Sequence, residues 1–394
     1  GKHGLKFYQK KKSNKGGEKK AKTTLCHFTH LCANAIMIFV AGAPVCTDSS
    51  SSCSQGHDIL TDLMKHPVLV SASSSFNDVA ERKFSVSKDS SSGISRYNRW
   101  VYIFQREYAT VDPTLVDVVG TDEATTCVGL VIRNQNSGMT SVAHLDSPDV
   151  VDIGLAQMLA FVVNQSSDAM LDVHLIGGFD DASPEHVNGI TESHGKLEGY
   201  SFPLCKKIVD SLAKSNMKFQ IHTLHVLGHN TRRDSEGIAY PIFTGFLAET
   251  ATGSIIPANF DATTRCPDEV VRRIQVSASF EDPSWKGRLL ETYDTQTDQF
   301  VIAPCTWDMR KMHIALMLQN LSDQEILLTC STSPSAEAPD FVDNQRRQWD
   351  YIIQHPDWSE TFPFKKPRIF QRTEDKSWVR HQAKSSSSSY PYAD

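Results

Sequence analysis

The sequence predicts an α+β protein built as a layered mixed sheet with flanking helices. Three observations carry that expectation. Apolar runs joined at hairpin spacing outnumber strand-helix-strand crossovers, no internal repeat divides the chain, and no linker interrupts the region from residue 97 to about 370. The 394 residues are 40% hydrophobic and 22% charged, enough for a large core and too apolar for a chain disordered throughout. With 40 Lys plus Arg against 46 Asp plus Glu, the formal net charge of −6 excludes an ordinary basic nucleic-acid binder. That charge is unevenly spread: residues 1–22 hold nine Lys and one Glu, so they carry +8 and the remainder −14.

Taken in order, residues 1–36 read as a disordered Lys-rich leader, residues 37–380 as one catalytic domain and residues 381–394 as a flexible Ser-rich tail. The apolar stretch Ala35 to Ala43 ends in Ala41-Gly42-Ala43, which raises a secretory signal. Against it stand the long polar region before it, a length short of the ~20 residues of a membrane helix, and Pro44 just after the would-be cleavage site. The alternative is a buried strand at Met37-Ile38-Phe39-Val40 with a turn at Gly42-Ala43-Pro44. Because Gly1 is not Met, the chain is expected to be a fragment or processed product, with Met37 a candidate start of the folded protein. Nine Cys without a C-x-x-C pair suggest reduced thiols in the cytosol or nucleus rather than a zinc ribbon or a disulfide framework. No other stretch resembles a membrane span.

Serine clusters at 49–54, 73–75, 90–92 and 385–389 predict loops or tails. Ile59, Leu60, Leu63, Met64 and Val68 repeat at helical spacing, in a helix stopped at His66-Pro67. Val101 to Phe104 reads as a strand. Cys127 to Ile132 and Thr140 to His144 read as a hairpin around Asn134 to Gly138. Ser147-Pro148-Asp149 opens a helix, with a capping hydroxyl, Pro at the first turn and an acid. Val151, Leu155, Met158, Leu159 and Val162 then form its apolar stripe. Further strands are expected at 171–176, 219–226 and 239–247, a hairpin from 289–293 and 300–303, and helices near 203–213 and 341–353.

Two constellations invite a chemical reading and resist it. His222, His225 and His229 are close in sequence, but on a strand His222 and His225 face opposite sides and no H-E-x-x-H pattern is present. Packing or surface histidines are therefore expected, and no metal site. Gly177-Gly178 lacks the spacing of a phosphate-binding loop and reads as a tight turn with close backbone approach.

A third constellation is stronger. Cys127 stands at the head of one predicted strand and His144 at the end of its hairpin partner, so both side chains come to the same end of the sheet. A thiol attacks carbonyl carbon as thiolate, so it needs a base, and the base needs an orienting partner, for which Thr121 and Asp146 are candidates. The alternative for a single Cys before an apolar strand is a small core residue.

The segments Gly120-Thr121-Asp122-Glu123-Ala124-Thr125-Thr126-Cys127, Ala143-His144-Leu145-Asp146, Val173 to Phe179 and Ser331-Thr332-Ser333-Pro334-Ser335-Ala336-Glu337-Ala338-Pro339 resemble the protein N-terminal asparagine amidohydrolases. They follow that family's order and approximate spacing, from about Met37 to around Trp378. The resemblance implies an intracellular enzyme, in the cytoplasm with the nucleus as a further compartment, that converts an N-terminal Asn of a protein or peptide to Asp. Its product feeds arginylation and degradation in the N-degron pathway. Cys127 matches the family's nucleophile. A more distant similarity of layout to bacterial chemoreceptor glutamine deamidases implies an α/β/β sandwich and supports His144 and Thr121 as partners of the thiol. No cofactor, nucleic acid or membrane is implied. A carboxylate should pair with the substrate's α-ammonium, and Asp122, Glu123, Asp146 and Asp180 are candidates; for each the alternative is a solvated loop acid. The competing readings are a glutamine-directed deamidase, a papain-like protease whose local Cys motif is missing, and a non-catalytic adaptor for N-terminal residues.

Overall fold

The computed structural model describes residues 37–45, 55–85, 98–163, 169–182 and 198–381. The expected leader (1–36), the tail beyond His381 and the serine clusters at 49–54 and 90–92 lie outside the described residues.

The largest sheet has eight strands in the order Leu290–Glu291, Glu107–Val111, Thr140–Leu145, Val128–Asn134, Met170–Phe179, Lys218–Leu227, Ile38–Val40 and Ala43–Pro44. Its centre is the expected hairpin: Val128–Asn134 runs antiparallel to Thr140–Leu145, with Gly129 opposite His144. Met170–Phe179 pairs antiparallel with that hairpin and parallel with Lys218–Leu227. A parallel pair needs a crossover, and helix Ser201–Lys214 supplies it.

Side chains alternate between two cores because successive residues of a strand point to opposite faces. Val128, Leu130, Ile132, Ala143 and Leu145 pack with the apolar stripes of helices Gln55–Lys65, Val151–Val162 and Ser201–Lys214. Burying each of these large aliphatic chains contributes ~1.5–3 kcal/mol. Val131, Val142 and Ile176, on the opposite face, pack with Val119, Phe246 and Ala248. Those residues belong to a second sheet of five strands, ordered Arg82–Phe84, Ile255–Phe260, Phe246–Glu249, Val118–Thr121 and Trp100–Tyr102. The layers run helix, sheet, sheet, as the distant layout similarity implied. Helices Glu269–Ser279, Met309–Gln319 and Phe341–Gln354 and a four-stranded sheet that includes Gln299–Ile302 and Arg368–Arg372 extend the inter-sheet core.

Several local expectations change. Pro67 ends one helix but also starts another, Pro67–Asn77, in which the Val68 N–H donates to the His66 imidazole at 3.3 Å. Ser73 to Ser75, expected in a loop, are inside that helix, because Leu69, Ser73 and Phe76 recur at helical spacing and are buried. Ser147 precedes a 3-10 turn, Pro148–Val150, but its hydroxyl makes no cap bond. The strand expected at 239–247 is two strands, Ala239–Pro241 and Phe246–Glu249, in different sheets. The expected 289–303 hairpin also divides: Leu290–Glu291 joins the large sheet, and Tyr293–Asp294 turns back on Gln299–Ile302. Among the described residues no helix is long and apolar enough to cross a membrane.

Candidate active site

The site forms where the two sheets meet, at the end where Val128–Asn134 begins and Thr140–Leu145 ends. Gly129 and His144 are cross-strand partners, so their side-chain positions share the face toward the second sheet. The same alternation carried back two residues places half-buried Cys127 on that face, diagonal to His144. Gly129 must be small, because a Cβ there would fall 2.2 Å from the Phe246 ring of the second sheet.

Gly177-Gly178 is a correction to the tight turn expected there. Both residues lie inside strand Met170–Phe179, with φ of 111° and 51°, at a shift in register against Lys218–Leu227. Close backbone approach is present, since a Cβ on Gly177 would stand 2.6 Å from the Cys127 carbonyl oxygen. The bulge thus shapes the backbone that carries the thiol.

Thr121, the last residue of its strand in the second sheet, reaches across the layers, with Oγ1 2.8 Å from His144 Nδ1. A threonine hydroxyl has a single proton. It is donated to the Ile103 carbonyl at 2.8 Å, with the Asp122 carbonyl at 3.4 Å as a weaker acceptor. Thr121 therefore accepts the Nδ1–H of His144, and the lone pair of the neutral ring sits on Nε2. His144 is 1% exposed, and its Nε2 has no hydrogen-bond partner among the described residues.

The electrostatics agree with a neutral pair at rest. Burial lowers His144 to about 4, although Asp146 and Glu123 favour its protonation. Burial also raises the Cys127 thiol well above its ordinary value, and the negative charges of Asp146 and Glu337 add to that rise against a smaller opposing effect of Arg106. At neutral pH the site therefore holds a thiol and an imidazole with a free lone pair, and the proton must move when the thiol attacks.

The four acids considered for ammonium binding all have cationic partners. Asp122 is 3% exposed, accepts Tyr102 Oη at 2.6 Å and the Phe260 N–H at 2.7 Å, and pairs with Arg265 at 3.1 Å. Burial and the neighbouring Glu123 charge still raise it to about 6. Glu123, at a left-handed φ of 62°, takes both Nη atoms of Arg273 at 2.9 Å and also contacts Arg265 and Asn344. Despite its burial, these guanidinium groups hold Glu123 below its ordinary value. Asp146 is bound by Arg106 at 3.0 Å, and Asp180, the most exposed of the four, by Arg233 at 3.1 Å. Asp146 and Glu123 thus act on the imidazole by their charge, and Asp146 on the thiol as well, while Asp122 is held in its own network with Tyr102, Phe260 and Arg265.

Two parts of the site had no signal in the spacing around Cys127. Arg106, Arg265 and Arg273 lie far from it in sequence, and only the fold brings them to these acids. The segment that begins at Ser331 is tied to the residues just before the thiol: Ser333 Oγ donates to Thr125 Oγ1 at 2.9 Å, and the Thr332 and Thr126 hydroxyls are 3.0 Å apart. Its resemblance motif was visible, but its contact with Thr125 and Thr126 was not.

The clustered histidines go elsewhere. His225 is buried against Ser73 Oγ at 2.8 Å, and His222 pairs with Asp172 at 2.6 Å and stacks on His174. His229 caps the Leu224 carbonyl at 2.8 Å. Among the described residues, no group of three or more His, Cys, Asp or Glu is placed to hold a metal ion.

Residues 90–380 match the family described as protein N-terminal asparagine amidohydrolase. A protein of that name from Arabidopsis thaliana is 55% identical over 348 residues, covering 87% of this chain and 100% of the relative. Proteins of the same name from Sus scrofa and Mus musculus are 29% and 28% identical, each over 71% of this chain and 82% and 83% of their own lengths.

Proposed function

This chain belongs to the protein N-terminal asparagine amidohydrolase family, and from that premise we propose that it is a hydrolase that deamidates an N-terminal Asn to Asp through a Cys127 thioester. The observation that supports the mechanism is buried His144 Nε2, without a partner among the described residues, at the sheet end that also carries Cys127, while Nδ1 is bonded to Thr121.

The bonds balance as follows. His144 Nε2 takes the thiol proton as Cys127 Sγ bonds to the side-chain amide carbon. The resulting oxyanion is stabilised by backbone N–H groups at Thr126 and Cys127. The imidazolium returns its proton to the leaving nitrogen, the C–N bond breaks, and ammonia departs from a thioester. Water, deprotonated by the same imidazole, then cleaves the C–S bond and leaves Asp with a regenerated thiol. Thr121 keeps the imidazole in the tautomer that can act as base. The new N-terminal Asp would suit arginylation in the N-degron pathway, in the cytoplasm or nucleus.

Ammonia release should be measured on Asn-starting peptides, their Gln-starting counterparts and N-acetylated controls. Turnover of the free Asn peptide alone supports the proposal. Preference for Gln or for internal amides would make the chain a glutamine-directed deamidase, and binding without ammonia would make it an adaptor. Cys127→Ser should keep the fold and peptide binding but lose turnover; near-normal activity in that variant would refute the thioester route.

A further inference from the structure

The turn that leads into strand Glu107–Val111 carries an arginine where the backbone favours something smaller. Arg106 has a φ of 64°, a left-handed conformation that Gly, Asn and Asp adopt at less cost. Its backbone is fixed all the same: the N–H donates to the His144 carbonyl at 2.9 Å, and the carbonyl accepts the Leu290 N–H at 2.8 Å. The strained turn thereby delivers one side chain to the end of the hairpin that holds the thiol and the imidazole.

That side chain is 7% exposed and closely held. Its Nε donates to Asp146 Oδ2 at 3.0 Å and to Oδ1 at 3.3 Å, and Nη2 donates to Oδ1 at 3.3 Å. The guanidinium carbon stands 3.9 Å from the centre of the Phe280 ring. Nη1 takes no part in the pairing with Asp146. Asp146 in turn has a fixed place against the thiol. The ladder pairs Gly129 with His144 and Val128 with Leu145, so one further step of the same register sets Cys127 opposite Asp146, on the face that Gly129 and His144 share. An ion pair thus lies across the strand from the nucleophile.

Burial makes such a pair count, since a charge is screened least where water is excluded. The charged groups that face the thiol are Asp146, Glu337 and Arg106, and of these Arg106 is the cation. Around the imidazole stand Asp146, Glu123 and Arg273. When the proton passes from Cys127 Sγ to His144 Nε2, the S–H bond breaks and an N–H bond forms, leaving a negative sulfur and a positive ring. Arg106 favours the first charge and Asp146 the second.

We propose that the Arg106–Asp146 ion pair sets the reactivity of the nucleophile: Arg106 is the electrostatic partner of Cys127 in its thiolate form, and Asp146 anchors that arginine while favouring the imidazolium. This rests on the deamidase reading above. Both charges are in place before the proton moves, so the site needs no reorganisation as the thiolate forms.

The test breaks the same bridge from either side. Arg106→Gln and Asp146→Asn both remove the ion pair, so a purely structural bond gives effects of the same sign, whereas a charge acting on sulfur gives opposite ones. The readout is the rate at which iodoacetamide alkylates Cys127 at a fixed, mildly alkaline pH, followed by mass spectrometry of the peptide that contains it. A tenfold change in thiolate population alters that rate only about 3-fold, because the more basic thiolate is the better nucleophile. Arg106→Gln should slow alkylation by about 3-fold or more, and Asp146→Asn should speed it by a similar factor. Arg106→Lys, which keeps the charge and loses the fork, should fall between wild type and Arg106→Gln. Either variant decides by itself once circular dichroism shows it folded: Arg106→Gln that is no slower than wild type, or Asp146→Asn that is no faster, overturns the proposal. Ammonia release from an Asn-starting peptide is measured alongside. Its absence in wild type would sink the deamidase reading, while the alkylation rates still judge the ion pair.

Discussion

Replacing Thr121 with valine tests the claim that a hydroxyl on one sheet sets the tautomer of a base on the other. The two side chains have nearly the same shape, so the strand pairing with Phe246 is kept, while the acceptor 2.8 Å from His144 Nδ1 and the donor to the Ile103 carbonyl are lost. His144 is 1% exposed, so no bulk water substitutes for that acceptor. Leaving one buried polar group unpaired costs ~1–3 kcal/mol. The ring avoids that cost by rotating or by moving its proton to Nε2, and either change removes the base. At ~1.4 kcal/mol per decade, kcat/KM for an Asn-starting peptide should fall about 5- to 150-fold, with kcat carrying most of the loss. Thr121→Ser keeps the hydroxyl and should stay within about 3-fold of wild type. Coupled-assay ammonia release on both variants, with circular dichroism to confirm the fold, decides the matter. A valine variant within 3-fold of wild type would show that the cross-layer bond does not orient the base.

Gly177→Ala places a Cβ 2.6 Å from the Cys127 carbonyl oxygen at a φ of 111°, so it should displace the thiol and abolish ammonia release; full activity would show that the bulge does not fix the nucleophile. Arg272 and Glu107 are both 0% exposed and bonded at 3.0 Å, so Arg272→Met leaves a buried carboxylate with the Phe104 N–H but without its countercharge and should cost ~3–5 kcal/mol in urea unfolding; a loss below 1 kcal/mol would contradict the pairing. The pH profile of kcat/KM should follow His144, which burial lowers to about 4, so activity should hold as the pH falls toward about 4 and be lost below it as the base takes a proton. An acid limb at the ordinary imidazole value of about 6.5 would contradict that burial effect.

What could be read from the sequence was local. The hairpin was visible because apolar runs flank Asn134 to Gly138, which put Cys127 and His144 at one end of the sheet; its register, with Gly129 opposite His144, was not read. Thr121 was identified as an orienting candidate by its position six residues before the thiol. The helix across Ser73 to Ser75 was missed because three serines in a row resemble a loop; tertiary burial of Leu69, Ser73 and Phe76 decides its state. The acids around the site were visible as acids, but their occupancy was not. Arg273 meets Glu123 across 150 positions and Arg265 meets Asp122 across 143. Spacing carries no information about such pairs. The same holds for Glu337, whose motif was noticed and whose hydrogen bond from Ser331 was not.

The Thr121 to His144 bond has a mechanical meaning as well. It joins two separately hydrogen-bonded sheets across an apolar filling. The protonation pattern of the base is therefore a function of the gap between layers, a quantity with a compressibility and a thermal expansion of its own. Anything that loosens the filling, even far from Cys127, acts on turnover through a fraction of an ångström of sheet separation while each sheet remains intact.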